Sequence, residues 1–514
     1  MAKIAHTHKR SIARPIHRLP RLEMQAFDPE EFRRNGHAMI DFIADNMIKV
    51  QRRQLPVRSA MQPGYLRLMA EERAPDAGVP WATIMDEMRD RVLPGVTHWS
   101  HPDFFAFFPA MCSNSALLGN LLADSFNQPG FNWMCSPVAS EMEALVTDWL
   151  VHAMSLPHHF LMSSEGGAVI QPTATESVIV AVLAAKHRSS LRHGPVASPA
   201  YSQAASKLVV YFSEQAHFCV EKAAKVVGIH HIRKVPAPLS PRSKNFCLDV
   251  HALADMLRSD VDAGLLPCLV SASVGTTGTC AIDDLEEVGA LAARYSMWFN
   301  VDAAYAGVVA VCPEMRHLLR GVELADSLVI NGSKWFSMAF NTSFMFFRRK
   351  ADIVTCLNTS GVYLENRHTD AGTVVDYKDL QLGLGRPFRS LKVYVTLKHM
   401  GLDGIRGIVR SHIHHAQQLH ALLEGNSIFE MVVPTQFALV CFRLAGADDA
   451  CNKRYLDALN DSGGMFLVHT VVAGKVVLRL SLAYPKFEDA DVVRIYQQLL
   501  TTALLFAQAS GVEQ

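Results

Sequence analysis

The sequence predicts an α/β protein with a mostly parallel central sheet flanked by helices. From residue 207 onward, short apolar runs alternate with helical patterns, which is typical of a parallel sheet. Strands are expected at 207–213, 267–274, 297–302, 327–331 and 342–347. Two later apolar runs, 434–443 and 475–482, and a helix over 488–507 predict a smaller α+β domain at the C-terminal end.

The first ordered element is a helix expected to begin at Asp28. Asp28 suits the N-cap, Pro29 the first helical position, and Glu31 completes a capping box. The first 22 residues carry six basic residues and no acidic one. They contain little serine, so a disordered tail is favoured over a transit peptide. The expected divisions are a disordered basic tail (1–23), a helical arm (24–93), a large domain (94–387) and a small domain (388–514).

Composition narrows the class of protein. The 49 basic and 49 acidic residues balance, so no net field favours nucleic acid or an anionic membrane as a partner. No run of eighteen apolar residues predicts a membrane span. The ten cysteines are scattered without a Cys-x-x-Cys pair, which favours a reducing, cytoplasmic location over a disulfide framework or zinc site. Four histidines between 412 and 420 share one helix but lack acidic partners, so no metal site is predicted.

Two polar residues mark the ends of predicted buried strands. Asp302 ends the run at 297–302, and Lys334 follows the run at 327–331 and the turn Asn331-Gly332. Alone, Lys334 reads as a surface lysine at a strand end. Parallel strands place ligands at their carboxyl ends, however, so both side chains are expected at one sheet edge. A lysine amine and a carboxylate in that arrangement suit pyridoxal phosphate: the lysine holds the aldehyde and the carboxylate keeps the pyridine nitrogen protonated.

Three other stretches carry candidate functional residues. Residues 164–187 lead small hydroxyl residues into an apolar helix, which predicts either a phosphate site at the helix N-terminus or a plain N-cap by Thr173 or Thr175. Residues 94–113 concentrate aromatics that either line a pocket or, as the default, fill core. Residues 357–379 form a long polar loop of the kind that is usually functional, with Tyr363 as its prominent side chain.

Motifs along the chain resemble the group II pyridoxal-phosphate decarboxylases, in particular the plant branch of the aromatic-L-amino-acid decarboxylases. The resemblance runs from about residue 24 to 505. It rests on Thr97-His98-Trp99 with His101-Pro102 and Phe104-Phe105-Ala106, on Gln215-Ala216-His217, on Asn300 through Gly307, on Asn331 with Lys334-Trp335, and on Gly385-Arg386 with Phe388 through Lys392.

The resemblance implies fold type I with a seven-stranded central sheet, a homodimer with active sites at the subunit interface, and a small-molecule amino-acid substrate. It also implies site roles. Lys334 is the Schiff-base lysine, Asp302 the partner of the pyridine nitrogen, His217 the residue stacked on the ring, and Tyr363 the proton donor. Phosphate and cofactor contacts fall to Thr173, Ala174, Thr175, Asn331 and Thr277. The substrate pocket falls to Trp99, Phe107, Phe108, Pro109 and Gly385, with Phe131 and Phe340 completing the neighbouring subunit's site.

The sequence departs from the family pattern at several contact positions. Gly332-Ser333 replaces the usual Pro-His before the lysine, and Pro172, which lacks an N–H, stands where a small residue usually precedes the phosphate segment. Ala110 replaces a hydroxyl residue, and Pro387 replaces an arginine. These changes bear on cofactor affinity and substrate choice.

The expected reaction is decarboxylation of an aromatic L-amino acid to its amine, with tryptophan or another hydrophobic aromatic preferred. In plant relatives the position of Gly385 tends to be glycine where the substrate is an indole and serine where it is a phenol. One alternative is an aromatic aldehyde synthase of the same family, in which the loop tyrosine is typically phenylalanine or the stacking histidine is changed; here both Tyr363 and His217 are present. The other is a non-catalytic scaffold, which purified protein without colour or a response to pyridoxal phosphate would reveal.

Overall fold

The computed structural model describes residues 27–108, 110–359, 361, 364, 367–371 and 374–510. These residues fall into two compact units, one holding residues 27–49 and 61–95 and the other holding the remainder. The basic tail predicted at 1–23 lies outside the described residues and stays a prediction.

The first unit is helical. Its elements are α1 (Pro29–Gln51), α2 (Tyr65–Met69) and α3 (Trp81–Glu87), with a π-turn at Met88–Val92. The predicted start of α1 is confirmed, because Oδ1 of Asp28 accepts the backbone N–H groups of Glu30 at 2.9 Å and Glu31 at 3.2 Å. Large apolar side chains of this unit, among them Phe32 and Leu68, are exposed.

The second unit is built on a seven-stranded sheet in the order β1-β7-β6-β5-β4-β2-β3. The strands are β1 (Gly167–Gln171), β2 (Leu208–Ser213), β3 (His231–Val235), β4 (Leu266–Ser273), β5 (Trp298–Asp302), β6 (Ser327–Asn331) and β7 (Ser343–Phe347). Strands β2 to β6 pair in parallel, and β7 is antiparallel to both its neighbours. The prediction of a mostly parallel α/β sheet is therefore confirmed.

Helices cover both faces of this sheet, which explains why its central strands are largely apolar, whereas the edge strand β3 carries charged residues. On β5, Trp298 packs into one buried cluster while Phe299 and Val301 pack into the other. The helices are α4 (Asn114–Phe126), α5 (Pro137–Met154), α6 (Ala174–Leu191), α7 (Pro199–Ser206), α8 (Cys219–Val227), α9 (Val250–Asp262), α10 (Leu285–Arg294), α11 (Gly332–Trp335), α12 (Lys350–Leu357) and α13 (Arg367–Asp370).

The C-terminal part forms a second, four-stranded sheet in the order β10-β11-β9-β8. Its elements are α14 (Arg389–Glu424), β8 (Phe429–Met431), β9 (Leu439–Leu444), α15 (Asp449–Asp461), β10 (Val468–Val472), β11 (Lys475–Ser481) and α16 (Asp489–Ser510). Helix α14 is kinked at Gly401, whose φ of 63° and ψ of 171° are not helical. The predicted α+β character is confirmed, and the boundary at 387/388 stays a prediction. None of the helices in the described ranges is long and apolar enough to span a membrane.

Candidate active site

Four parallel strands end at one edge of the large sheet and place polar residues around a cavity of about 210 Å³. Ser273 ends β4, Asp302 ends β5 and Asn331 ends β6, while His217 follows β2 by four residues. The cavity is lined by Phe108, Pro172, Thr173, Ala174, Thr175, His217, Cys219, Ser273, Gly275, Thr276, Thr277, Asp302, Ala304, Tyr305, Asn331, Lys334 and Phe340. The expectation that Lys334, Asp302 and His217 lie together is borne out by this geometry.

Lys334 lies on the single turn of α11 and presents its amine to the cavity. Burial lowers the pKa of this amine; the carboxylate of Asp302 opposes that shift, and the guanidinium of Arg479 acts in the same direction as burial. The Lys334 side chain is half-buried, because only the part that faces the cavity is accessible to solvent. A lysine held toward its neutral form has a free lone pair and can act as a nucleophile.

Asp302 is held from two sides, and each of its oxygens has a separate donor. The backbone N–H of Ala304 donates to Oδ1 at 3.0 Å, and the thiol of Cys219 donates to Oδ2 at 3.8 Å. Burial is the main reason why the pKa of the Cys219 thiol is raised, and the neighbouring carboxylate adds to it. The thiol therefore stays protonated and available as a donor. Cys219 was missed by the sequence reasoning, although it stands two residues after His217.

His217 is a neutral imidazole in this setting. Its Nδ1 accepts the backbone N–H of Cys219 at 3.2 Å, which leaves the proton on Nε2. Burial lowers the pKa of His217, the Asp302 carboxylate opposes the shift, and Lys334 reinforces it. A neutral, fixed ring at the cavity wall is suited to packing on a planar cofactor.

The N-terminus of α6 forms the anion-binding end of the cavity. Thr173 is the N-cap, and its hydroxyl oxygen accepts the N–H of Glu176 at 3.2 Å. The N–H groups of Ala174 and Thr175 lie in the first turn, where a helix offers no carbonyl partner. Pro172 precedes the N-cap, so its missing N–H does not remove either of these donors. The N-cap role and the anion site predicted from this stretch are thus compatible.

A tight loop brings Thr276 and Thr277 to the cavity. The N–H of Ala281 donates to the Thr276 hydroxyl at 2.9 Å, and the N–H of Gly275 donates to the Ala281 carbonyl at 2.9 Å. Gly275 has a φ of +88°, and a Cβ there would lie 2.7 Å from the Cβ of Ala306. Glycine is therefore required at this position. Thr277 was predicted near the cofactor, whereas Thr276 was not singled out.

Stacked rings form the wall beside Lys334. The rings of Phe108 and Tyr305 are 3.8 Å apart and nearly parallel, and Tyr305 stacks on Trp335 at 4.8 Å. Trp335 donates its indole N–H to Nδ1 of His412 at 3.0 Å, and Nε2 of His412 donates to the Tyr484 carbonyl at 2.9 Å. The ring column therefore ties the cavity wall to α14.

Not every predicted substrate residue lines this cavity. Phe108 and Phe340 do, but Trp99 and Phe107 stack on each other 5.5 Å apart and both are substantially exposed. Phe131 and Gly385 are also absent from the lining formed by the described residues. Pro109 and Tyr363 lie outside the described residues, so their predicted roles stay predictions.

One functional candidate escaped the sequence reasoning altogether. Arg479 on β11 is almost fully buried, and its guanidinium carbon lies 5.1 Å from the ring centroid of Phe108. Its Nε donates to the Gly278 carbonyl at 3.0 Å, while Nη2 has no partner among the described residues. Its only sequence signal is a charge in the middle of the apolar run 475–482.

These residues fit pyridoxal 5′-phosphate. The free N–H groups at the start of α6 match a phosphate, Asp302 matches a protonated pyridine nitrogen, and Lys334 matches an aldehyde. The flat, neutral ring of His217 lies among them. The fit to pyridoxal 5′-phosphate rests on these groups together and not on any single residue.

Comparison with known proteins agrees with this donor set. Residues 63–445 match the pyridoxal-dependent decarboxylase conserved domain. The chain is 40% identical over 475 residues to tryptophan decarboxylase 2 of Oryza sativa subsp. japonica, covering 91% of this chain and 94% of that one. It is 38% identical over 497 residues to tyrosine decarboxylase 2 of Narcissus pseudonarcissus (95% and 97%). It is 39% identical over 475 residues to phenylacetaldehyde synthase of Arabidopsis thaliana (91% and 95%).

Solved structures agree with the sequence comparison. The tryptophan decarboxylase of Oryza sativa with PLP and tryptamine superposes with a TM-score of 0.89 at 35% identity, covering 93% of this chain and 99% of that one. The tryptophan decarboxylase of Catharanthus roseus in complex with L-tryptophan gives a TM-score of 0.86 at 35% identity, with the same coverage.

Proposed function

The chain belongs to the pyridoxal-dependent decarboxylases and takes pyridoxal 5′-phosphate as its cofactor, and on that premise we propose that it converts an aromatic L-amino acid to the arylalkylamine and carbon dioxide. The observation that carries the proposal is one cavity that joins Lys334, Asp302, His217 and the N-terminus of α6 to a wall of stacked aromatic rings.

The chain's own residues have separable tasks in this reaction. The cofactor, when bound, supplies an electron sink for the electron pair left at the α-carbon when carbon dioxide departs. Lys334 would hold the cofactor aldehyde through its amine. Asp302, fixed by Ala304 and Cys219, would keep the pyridine nitrogen protonated. Ala174 and Thr175 would anchor the phosphate through their backbone N–H groups, and the ring of His217 would pack against the cofactor.

Whether the product is the amine or the aldehyde depends on which group donates a proton to the α-carbon. Tyr363 carries a phenol, which can donate a proton, whereas a phenylalanine at this position cannot. The alternative product set is the aldehyde, carbon dioxide, ammonia and hydrogen peroxide, formed with consumption of oxygen and water. One relative of this chain is named a phenylacetaldehyde synthase. Tyr363 and His217 together favour the amine.

The lining supports an aromatic substrate. Phe108, Tyr305 and Phe340 offer apolar surface, and the charged groups of the lining, Lys334 and Asp302, are both committed to the cofactor. A glutamate side chain would bring a carboxylate to this wall, and Arg479, although its guanidinium carbon lies 5.1 Å from the Phe108 ring centroid, is not among the lining residues that could pair with it. Gly385 does not line this cavity among the described residues, so its predicted effect on substrate size stays a prediction. We therefore propose a preference for tryptophan or another hydrophobic aromatic amino acid; its relatives include enzymes named for tryptophan and for tyrosine.

We also propose that the active form is a cytoplasmic homodimer. On α4 the side chains of Leu117, Leu118, Leu121, Leu122 and Phe126 form one exposed apolar stripe. Lys392 links this helix to the cavity, because its Nζ donates to Oδ1 of Asn120 at 3.1 Å and to the carbonyl of Phe340, a lining residue, at 2.6 Å. A second copy seated on the stripe would thus lie beside the cavity. All ten cysteines are unpaired, which supports a reducing compartment.

The decisive experiment measures carbon dioxide release from tryptophan, phenylalanine, tyrosine, dopa, histidine and glutamate, with amine, aldehyde and peroxide quantified for each. Tryptophan or phenylalanine should be preferred and should yield amine. A clear preference for tyrosine or dopa would contradict the argument from Gly385, and a preference for histidine or glutamate would contradict the aromatic pocket. Peroxide and ammonia in step with carbon dioxide would reverse the product assignment.

Two variants test the residue roles. Lys334→Ala should abolish the cofactor adduct that borohydride fixes to the wild-type protein; an adduct that persists would refute the role of Lys334. Tyr363→Phe should move the products toward aldehyde and peroxide.

A further inference from the structure

Asn331 and Ser333 form a local pair next to Lys334. Oδ1 of Asn331 accepts the backbone N–H of Ser333 at 3.1 Å and the Ser333 hydroxyl at 2.7 Å. A backbone N–H can only donate and an amide oxygen can only accept, so the first contact decides which end of the Asn331 amide faces Ser333. The second contact must then be donation by the hydroxyl. Nδ2, with two protons, is left on the other side of the amide.

Asn331 lines the same cavity as Ala174 and Thr175. The first turn of α6 forms the proposed anion site of this cavity. An NH₂ group presented there attracts an anion, whereas the amide oxygen would repel it. The orientation of one amide therefore changes the sign of its interaction with a phosphate.

Ser333 is well placed to fix that orientation. It is 3% exposed, so no bulk water competes for its hydroxyl. The preceding residue, Gly332, approaches Phe344 so closely that a Cβ would lie 2.8 Å from the Phe344 ring. The backbone is thereby held where Ser333 turns back onto Asn331.

We propose that Ser333 is a positioning residue for the cofactor phosphate: it locks the Asn331 amide with Nδ2 directed at the phosphate. This inference rests on the proposed seat of the phosphate at the N-terminus of α6. Ser333 itself touches neither the cofactor nor the reacting atoms. It acts through Asn331 on affinity for the phosphorylated cofactor.

The test compares pyridoxal 5′-phosphate with pyridoxal, which lacks the phosphate. Equilibrium dissociation constants for both are measured on the apoenzyme by quenching of protein fluorescence, for wild type, Ser333→Ala, Asn331→Ala and the double variant. Loss of one neutral hydrogen bond should raise the dissociation constant for the phosphorylated ligand about three- to tenfold. The constant for pyridoxal should not change. The double variant should bind no more weakly than Asn331→Ala, because Ser333 acts only through that amide.

Two further variants serve as controls for the effect of Ser333→Ala. Ser333→Thr retains the hydroxyl and should retain the affinity lost in Ser333→Ala. Ser190→Ala is a matched control, since Ser190 is also buried and its hydroxyl has no partner among the described residues. It should affect neither ligand.

The outcomes separate this inference from the function on which it rests. Equal weakening of both ligands by Ser333→Ala, no weakening of either, or additive losses in the double variant would overturn the role of Ser333. A wild-type protein that binds pyridoxal as tightly as its phosphate ester would instead refute the phosphate seat at α6. A preference for the phosphate ester that Ser333→Ala leaves undiminished overturns the positioning role alone.

Discussion

Replacing Glu143 by glutamine should destabilise the protein far more than the same change at a surface ion pair. Glu143 on α5 and Arg386 are both almost fully buried, with Nη2 of Arg386 at 2.7 Å from Oε1 of Glu143. The same Oε1 accepts the backbone N–H of Ile170 at 2.7 Å, and Nη2 also donates to the Ile170 carbonyl at 3.2 Å. The pair thus fixes β1 immediately before the segment that forms the phosphate site.

The magnitude follows from what the substitution leaves behind. Glutamine can still accept the Ile170 N–H, so the loss is confined to the negative charge. Removing one partner of a buried pair leaves an uncompensated charge and typically costs about 3–5 kcal/mol. The Tyr377 ring, 4.6 Å from the guanidinium carbon, remains and offsets on the order of 1 kcal/mol of that cost. A net loss of about 2–4 kcal/mol is expected.

The matched control is Glu314→Gln. Glu314 binds Arg410 through two contacts of 2.7 and 3.0 Å, but both side chains are 49% exposed. A pair of this kind contributes little to stability, because both charges are solvated and screened. Urea unfolding followed by tryptophan fluorescence gives the comparison, and 0.5 M salt should diminish only the surface effect, because salt at roughly this strength screens exposed charges.

A double variant tests whether the unpaired charge of Arg386 causes the loss of stability. Combining Glu143→Gln with Arg386→Met removes both charges and keeps the contact with the Ile170 N–H, although the bond from Arg386 to the Ile170 carbonyl is lost, so most of the lost stability should return. If Glu143→Gln and Glu314→Gln cost the same, or if the double variant is no more stable than Glu143→Gln, the electrostatic reasoning is refuted.

Three other predictions concern titration and Asp302, the carboxylate proposed to face the pyridine nitrogen. Burial lowers the pKa of His412 to about 4 from 6.5, so the folded state resists protonation. Stability should be complete above pH 6.5 and should fall by up to about 3 kcal/mol as the pH drops toward 4; His412→Gln should flatten this part of the profile, and an unchanged slope would contradict the assignment. Burial likewise lowers the pKa of Lys392 to about 8 from 10.5, with Arg389 adding to the shift. The folded state binds this proton more weakly than the unfolded chain, so stability relative to Lys392→Met should rise by at most about 3 kcal/mol between pH 8 and 10.5, which thermal melts across that range would show. Cys219→Ser keeps a donor to Asp302 and should retain cofactor affinity, whereas Cys219→Ala should weaken it severalfold through the loss of one hydrogen bond to a charged group; equal affinities, measured by cofactor dissociation, would exclude the thiol as an orienting donor.

The large sheet was predictable because both its faces are covered. Strands such as β5 and β6 are continuous apolar runs that end in a polar residue, and this contrast marks their carboxyl ends in the sequence. Strand β3 escaped prediction, since it lies at the sheet edge and carries His231, Arg233 and Lys234. An edge strand with charged side chains lacks the apolar signal, although such charges protect an edge from pairing with other chains.

The site was predictable only in part, for a related reason. Asp302, Lys334 and His217 stand at or near strand ends, so topology alone brings them together. Arg479 reaches the site through packing between distant segments, which no local pattern encodes, whereas Tyr305 stands three residues after Asp302 and stacks on Phe108. The expectation for Trp99 and Phe107 came from the family resemblance, and in the described chain these two rings stack on each other outside the cavity.

Two of the departures from the family pattern, Pro172 and Ser333, are compatible with a phosphate site at the start of α6. A phosphate seat built from backbone N–H groups depends on where the helix begins, and not on which side chain precedes its cap. Pro172 lies before the N-cap Thr173, where a missing N–H removes no donor of the first turn and an extended backbone is already required. Ser333 is smaller than the histidine that is usual at this position in the family. Its hydroxyl donates to the Asn331 oxygen, which leaves the amide protons for the cavity in the orientation proposed above. Both departures therefore preserve the number of donors directed at the anion. They alter how firmly those donors are held, so their effects should appear in cofactor affinity before they appear in the rate of the chemical step.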